Sequence, residues 1–121
     1  MTAVSEAFTA YVRELLSNLG QVRIRKMFGG AGVYLDELMF ATVFDDGLYF
    51  RVDEETEARF RAAGSKPALF RMKDGRELEM SYWSAPEEAL DSPDEAEPWA
   101  RLALEAAMRK QASKGKKKKT A

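Results

Sequence analysis

The first apolar residues of the chain recur every three or four positions, which is the spacing of one helical face. Gly20 follows the last of them, where a glycine commonly caps a helix. The pattern predicts an amphipathic helix over about residues 4–19. Its apolar face consists of Val4, Phe8, Tyr11, Val12, Leu15, Leu16 and Leu19.

After Gly20 the apolar residues alternate with polar ones, which is the period of a β-strand. Val22 and Ile24 alternate with Arg23 and Arg25. Because the separators between runs are only two or three residues long, neighbouring strands must be antiparallel. The pattern predicts a four-stranded meander, in which further runs follow at residues 31–35, 38–44 and 48–52.

A second helix is predicted after the meander. Asp53 can cap its start, and Glu54 and Glu55 fall in the first turn, where the helix dipole favours anions. Gly64 lies just past its end. We place this helix near residues 54–63.

One more hairpin is predicted at residues 68–72 and 78–82, on either side of the turn-forming Lys73, Asp74 and Gly75. Two capping-box patterns then occur, each with a proline near the helix start. They predict a short helix and a longer one that ends near residue 112, with Pro98 as a source of a kink. The two pairs are Ser84 with Glu87 and Ser92 with Glu95.

The elements follow the order α-β(4)-α-β(2)-α-α, which predicts an α+β fold built on an antiparallel sheet. A chain of 121 residues supports one hydrophobic core, and we assign one domain to residues 1–112. Residues 113–121 contain only Ser, Lys, Gly, Thr and Ala, which bury too little surface to offset the entropy of ordering. We therefore predict a disordered, lysine-rich tail there.

Composition removes the commonest catalytic groups. The chain has no cysteine and no histidine, so thiolate chemistry, thiolate metal sites and imidazole bases are excluded. Ser81 consequently has no histidine to activate it. Turns and a helix cap account for the carboxylates that could suggest a hard cation, so we expect no enzyme activity, no metal and no cofactor. These carboxylates are Asp45, Asp46, Asp53, Glu54 and Glu55.

Charge is distributed unevenly along the chain. Five of the 19 basic residues lie in the last eight positions, so the rest of the chain has 14 basic against 20 acidic residues and a net charge of −6. The average field of the body would repel a phosphate backbone. No apolar run is long enough to span a bilayer, and the start lacks the pattern of a signal peptide, so we expect a cytoplasmic protein without a membrane partner.

The densest candidate site lies between residues 23 and 32, where three cations precede three glycines. One interpretation is a partner or anion site, because glycine amides and guanidinium groups both bind anions. The alternative is a tight hairpin whose glycines supply positive φ while the arginines face solvent. The candidate residues are Arg23, Arg25, Lys26, Met27, Phe28, Gly29, Gly30 and Gly32.

Tyr82 and Trp83 are further candidate contacts for a protein partner. They are aromatic residues at the end of the last predicted strand. Strand alternation puts them on opposite faces, so one of the two is expected in the core. The alternative site binds nucleic acid and would use the basic residues of the first strand together with the tail. Its residues are Arg23, Arg25, Lys26, Lys116, Lys117, Lys118 and Lys119.

Several blocks of the sequence, in order, resemble the TfoX/Sxy amino-terminal-domain family over roughly residues 7–108. The resemblance implies a two-layer fold with helices on one side of the sheet, similar to secretion-chaperone-like and YgaC-like folds. It also implies a bacterial regulator of competence that acts beside the cyclic-AMP receptor protein at promoters. The blocks are Met27 to Tyr34, Met39 to Ala41, Leu48 to Asp53, Met80 to Tyr82 and Trp99 to Leu102.

The chain departs from that family in two ways. Competence regulators have a second, carboxy-terminal helical domain, where this chain has its short lysine-rich tail. In addition, Glu37 occupies a turn position where glycine is frequent in the family. We therefore expect a non-enzymatic accessory factor of transcription that binds a protein partner, with direct nucleic-acid binding and small-ligand binding as alternatives. An edge strand and the aromatic residues also suggest a homodimer.

Overall fold

The computed structural model describes residues 6–27, 30–44, 47–71 and 73–120. Three α-helices, two short 3₁₀ helices and six strands follow one another within these ranges. The elements are α1 (Glu6–Leu15), a first 3₁₀ helix (Ser17–Leu19), β1 (Arg23–Met27), β2 (Gly30–Leu35), β3 (Leu38–Phe44), β4 (Gly47–Arg51), α2 (Glu57–Ala62), β5 (Pro67–Arg71), β6 (Glu77–Ser84), a second 3₁₀ helix (Glu87–Leu90) and α3 (Pro93–Thr120).

The six strands form one antiparallel sheet in the order β1-β2-β3-β4-β6-β5. The predicted meander is therefore confirmed, and the second hairpin joins it through β6. The β2–β3 turn places Asp36 and Glu37 at φ of 51° and 68°. Positive φ at both central residues is characteristic of the two-residue hairpin turn whose twist matches that of the strands, and it favours the glycine that is frequent where this chain has Glu37.

The hydrophobic core lies between one face of the sheet and the helices. The fully buried Val33 pairs with Ala41, which in turn pairs with Phe50, and this row packs together with residues of α1, α2 and α3. Phe60 of α2 meets Phe50 and Trp99 edge-on, at ring-centroid distances of 6.3 and 5.0 Å. The described helices thus share one side of the sheet, and the predicted α+β fold is confirmed.

Helix α3 packs on the sheet through small side chains. Ala96, Ala100, Ala103 and Ala107 are all buried and lie three or four residues apart, so they form one stripe on the helix. Because alanine adds little bulk, this stripe lets α3 approach β3 and β4 closely. The start of α3 is capped as predicted, since Ser92 Oγ accepts a hydrogen bond of 3.2 Å from the Glu95 amide.

Several predicted boundaries differ from the structure. The second helix begins at Glu57 rather than near residue 54, because the chain first turns around Asp53. The predicted cap at Ser84 is wrong, since this residue ends β6 and its hydroxyl accepts a hydrogen bond from the Lys66 amide at 3.1 Å. The first helix ends at Leu15 and continues as the first 3₁₀ helix.

The last helix extends beyond its predicted end near residue 112. It contains Pro98 and runs to Thr120. Lysine is a good helix former, so an established helix can continue through the lysine run. The domain boundary at residue 112 and the disorder of residues 113–121 stay predictions.

Candidate functional site

One face of the sheet has no described helix packed on it, and we call this surface the open face. Strand register identifies its members, because they alternate with the buried row. Arg25 pairs with Gly32, Gly32 with Thr42, and Thr42 with Tyr49. We define the open face by Arg23, Arg25, Tyr34, Thr42, Phe44, Tyr49, Arg51 and Tyr82.

Two arginines of the open face lie over tyrosine rings. The Arg25 guanidinium is 5.9 Å from the ring centroid of Tyr34, and that of Arg51 is 5.2 Å from the ring of Tyr82. Arg51 Nη1 also donates a hydrogen bond of 3.0 Å to the Tyr82 hydroxyl. The rings hold both guanidinium groups against the sheet, and a guanidinium has further N–H donors that can bind an anion.

Two more aromatic residues stack on this face. The rings of Phe44 and Tyr49 are 4.6 Å apart and inclined by only 9°. Both residues are half-buried, so part of the pair remains accessible to solvent. The open face therefore presents flat π surfaces beside its cations.

The local charge of the open face is opposite to that of the body. Strands β1 to β4 contain no acidic residue on either face. Arg23 and Arg25 are exposed, and neither forms a salt bridge with another described residue. The sequence average of −6 thus hides a basic surface that only strand pairing assembles.

The predicted first-strand site is divided between two faces. Arg23 and Arg25 lie on the open face, whereas Lys26 pairs with Ala31 and is exposed on the opposite side of β1. Phe28 and Gly29 lie outside the described residues. Met27, whose side chain is also outside the description, ends β1.

One described glycine of this segment, Gly30, has a structural reason to be there. A Cβ added to Gly30 would lie 2.4 Å from the Val43 carbonyl oxygen, a distance that no side chain tolerates. Gly32 is buried in the middle of β2, between Arg25 and Thr42. Gly30 thus permits close approach of two backbones, rather than supplying the positive φ that the hairpin interpretation expected.

The other predicted anchors are far from the first strand. Tyr82 and Trp83 lie on β6, four strand spacings or about 19 Å from β1. Tyr82 faces the open side but is 9% exposed, and Trp83 faces the core and is 6% exposed. Trp83 is the expected core member of the pair, with the Arg61 guanidinium 5.2 Å above its ring. The structure therefore does not bring the predicted residues together as one site.

Sequence reasoning missed five members of the open face: Tyr34, Thr42, Phe44, Tyr49 and Arg51. Their alternation with buried neighbours was visible, but it did not show which face the helices would cover. Three of the four tyrosines of the chain fall on this one face. The sequence did offer one indication of this surface: an alternating strand whose outward positions hold aromatic residues.

Asp53, one of the acidic candidates, has a structural role. Asp53 Oδ1 accepts hydrogen bonds from the amides of Glu55 and Thr56, at 3.1 and 3.2 Å. Its carboxylate also binds Arg109 of α3, with Nε to Oδ2 at 2.6 Å and Nη2 to Oδ1 at 3.0 Å. The hydrogen bond from Arg109 lowers the pKa of Asp53 below its ordinary value of 3.8, and the two backbone amides add to this.

Other candidate sites are few in the described ranges. No group of three or more acidic side chains there could hold a metal ion; Asp45 and Asp46 lie outside these ranges. A shallow concavity lies beside the second 3₁₀ helix, lined by residues that include Gly64, Ser84 and Glu87. Neither Arg25 nor Tyr82 lines it. None of the described helices is long and apolar enough to cross a bilayer.

Comparison with known proteins identifies a family that matches this chain. The sequence profile of the TfoX N-terminal domain family matches residues 14–107. The chain is also 38% identical over 64 residues to the DNA transformation protein TfoX1 of Aliivibrio fischeri. That match covers 53% of the chain but only 29% of the relative, so the chain spans less than a third of that protein.

Proposed function

This chain belongs to the TfoX N-terminal domain family, and on that premise we propose that it is a cytoplasmic, non-enzymatic regulatory protein of DNA transformation. It works by binding a protein partner, for which a component of the transcription machinery is the first candidate. The name of the Aliivibrio fischeri relative, DNA transformation protein TfoX1, supports the link to transformation. The absence of imidazole and thiol from the sequence favours binding over catalysis.

The observation that carries the proposal is the position of β1 at the edge of the sheet. It pairs with β2 on one side, so its other side offers backbone N–H and C=O groups to an added strand. Arg23 and Arg25 project from one face of this edge and Lys26 from the other. A partner segment that pairs here would place acidic side chains beside these cations, which favours an acidic partner.

The experiment measures regulation and partner capture together. The double charge reversal Arg23→Glu with Lys26→Glu is expected to abolish expression from a competence-gene reporter and to remove the captured partner. The control reverses Arg13→Glu and Arg59→Glu, two exposed cations of α1 and α2. The control is expected to keep both activities.

The reporter and the identity of the captured proteins decide the outcome. A reporter that responds equally to the wild type and to both variants would contradict the proposal. Capture that contains no component of the transcription machinery, identified by mass spectrometry, would contradict the choice of partner. Thermal unfolding of each variant checks that the fold is retained.

A homodimer is the second candidate. The other edge strand, β5, exposes 51% of Leu69, an apolar residue that a second copy could cover. Light scattering at high protein concentration tests this assembly, and a Leu69→Lys variant is expected to shift it to the monomer. A wild-type monomer at all concentrations would end this idea.

A further inference from the structure

The open face of the sheet combines the two features that single-stranded nucleic acid requires of a binding surface. Cations bind the phosphate backbone, and accessible aromatic rings stack with bases. Both occur on the same face, with Arg23 and Arg25 on β1 and the Phe44–Tyr49 pair on β3 and β4, two and three strands away. An antiparallel sheet of four strands with aromatic side chains on its open face can stack two or three bases.

We propose that the open face binds a single strand of nucleic acid through Arg23, Arg25 and Arg51, with a base stacked at Tyr49. This inference goes beyond the proposed function, because a partner strand added at the edge of β1 would leave Arg51 and the Phe44–Tyr49 pair uncovered. Charge is complementary, since strands β1 to β4 have no carboxylate. The face therefore attracts a polyanion although the body around it is acidic.

The geometry favours a single strand over a duplex. In the part of the chain that the structure describes, the open face presents no protruding helix or ribbon that could enter a groove, and reading a duplex requires such an element. The Phe44 and Tyr49 rings stack on each other, with centroids 4.6 Å apart and planes inclined by 9°, and a base that extends this stack must be unpaired. The flanking guanidinium groups of Arg25 and Arg51 lie over Tyr34 and Tyr82, which limits their motion before a ligand arrives.

The experiment is fluorescence anisotropy with the full chain and a labelled oligothymidylate of about 12 nucleotides. The double variant Arg23→Ala with Arg25→Ala is expected to lose about tenfold or more in affinity. For single strands the slope of log K against log salt is about −0.7 per neutralised phosphate, so this variant should reduce the slope by about 1.4. The control, Arg13→Ala with Arg59→Ala, removes the same charge on the helical side.

The aromatic part of the site has its own variants. Tyr49→Ala is expected to weaken binding about fivefold or more, whereas Tyr49→Phe keeps the ring and should keep the affinity. Tyr11→Ala is the matched control, because Tyr11 is an exposed tyrosine of α1 on the other side of the sheet. If Tyr49→Ala fails to fold, the exposed arginine pair still decides the outcome.

Several results would overturn the inference. A duplex of the same length that binds as tightly as the single strand would exclude base stacking, and a polyglutamate that binds equally well would favour an acidic protein instead. Loss of binding only when Lys116, Lys117, Lys118 and Lys119 are changed to Ser would assign it to the C-terminal lysines. An oligouridylate measured in parallel shows whether the open face binds RNA or DNA more tightly. A failed reporter with intact oligonucleotide binding would count against the regulatory proposal alone.

Discussion

Asp53 joins α3 to the turn after β4, and its replacement tests how these parts are held together. Its carboxylate accepts two backbone amides of the turn and two N–H groups of Arg109. The side chains of Arg109 and Asp53 are 35% and 29% exposed, so the ion pair is partly screened. Asp53 therefore makes two separable contributions to the free energy of unfolding, one through the turn and one through the ion pair with Arg109.

Two substitutions at residue 53 separate these contributions. Asp53→Asn keeps an oxygen for the amides of Glu55 and Thr56 but removes the charge that binds Arg109, so it should cost about 1 kcal/mol. Asp53→Ala removes both, and a lost cap of this kind costs about 1 kcal/mol more. For a chain of this size we expect the melting temperature to fall by about 4 °C and about 8 °C respectively.

The loss in Asp53→Asn should depend on pH. Because the pKa of Asp53 is lowered in the folded state, its stabilising contribution is fully present above the unfolded pKa near 3.8. It disappears as the pH falls through the lowered folded-state pKa, since both states then bind the proton. The difference between the wild type and Asp53→Asn should therefore be constant near neutral pH and shrink in acid.

Urea unfolding followed by circular dichroism, at a series of pH values, measures both effects. A double-mutant cycle with Arg109→Met should give a coupling free energy of about 1 kcal/mol. Asp91→Asn, at an exposed carboxylate, is the control and should change the free energy of unfolding by less than about 0.5 kcal/mol. Equal losses for Asp53→Asn and Asp53→Ala, or a loss that persists unchanged in acid, would refute this reasoning.

Two further substitutions test the core and the sheet. Phe60→Ala removes a fully buried ring that packs on Trp99, and should lower the free energy of unfolding by about 3–5 kcal/mol in a urea titration; a loss under about 1 kcal/mol would contradict the packing. Gly30→Ala places a Cβ 2.4 Å from the Val43 carbonyl oxygen and should cost about 2 kcal/mol or more. Gly47→Ala, whose nearest contact is 3.3 Å to the Tyr49 ring, should cost less, and the reverse ranking would show that β2 and β3 can separate freely.

The strands were more predictable than the helix ends. The run over residues 38–44 coincides with β3, because a short apolar run bounded by turn-forming acidic residues is a clear local signal. The start of α2 was misplaced because Asp53, Glu54 and Glu55 suit a turn as well as a first helical turn. Ser84 was assigned as a cap for a similar reason, since its hydroxyl can serve any nearby amide, and the amide of Lys66 became close only through the sheet.

The candidate site was likewise only partly predictable from the sequence. Arg23 and Arg25 could be named from the sequence, because three cations in one alternating strand are unusual. Tyr49 and Arg51 could not be added to them, since they lie more than twenty residues away and join the same face only through two intervening strands. Trp83 was a candidate by residue type, but its side of the sheet depends on where α2 and α3 pack.

The sequence by itself determined the order of the elements, the antiparallel pairing of successive strands, and the absence of thiol and imidazole chemistry. These depend on the period of two or three to four residues, on loop length and on composition, all of which are local. Only the tertiary structure decided which sheet face the helices cover and that β1 lies at an edge. Helix packing and strand order depend on contacts between distant segments, so the open face with its arginines and tyrosines exists only once those segments have met.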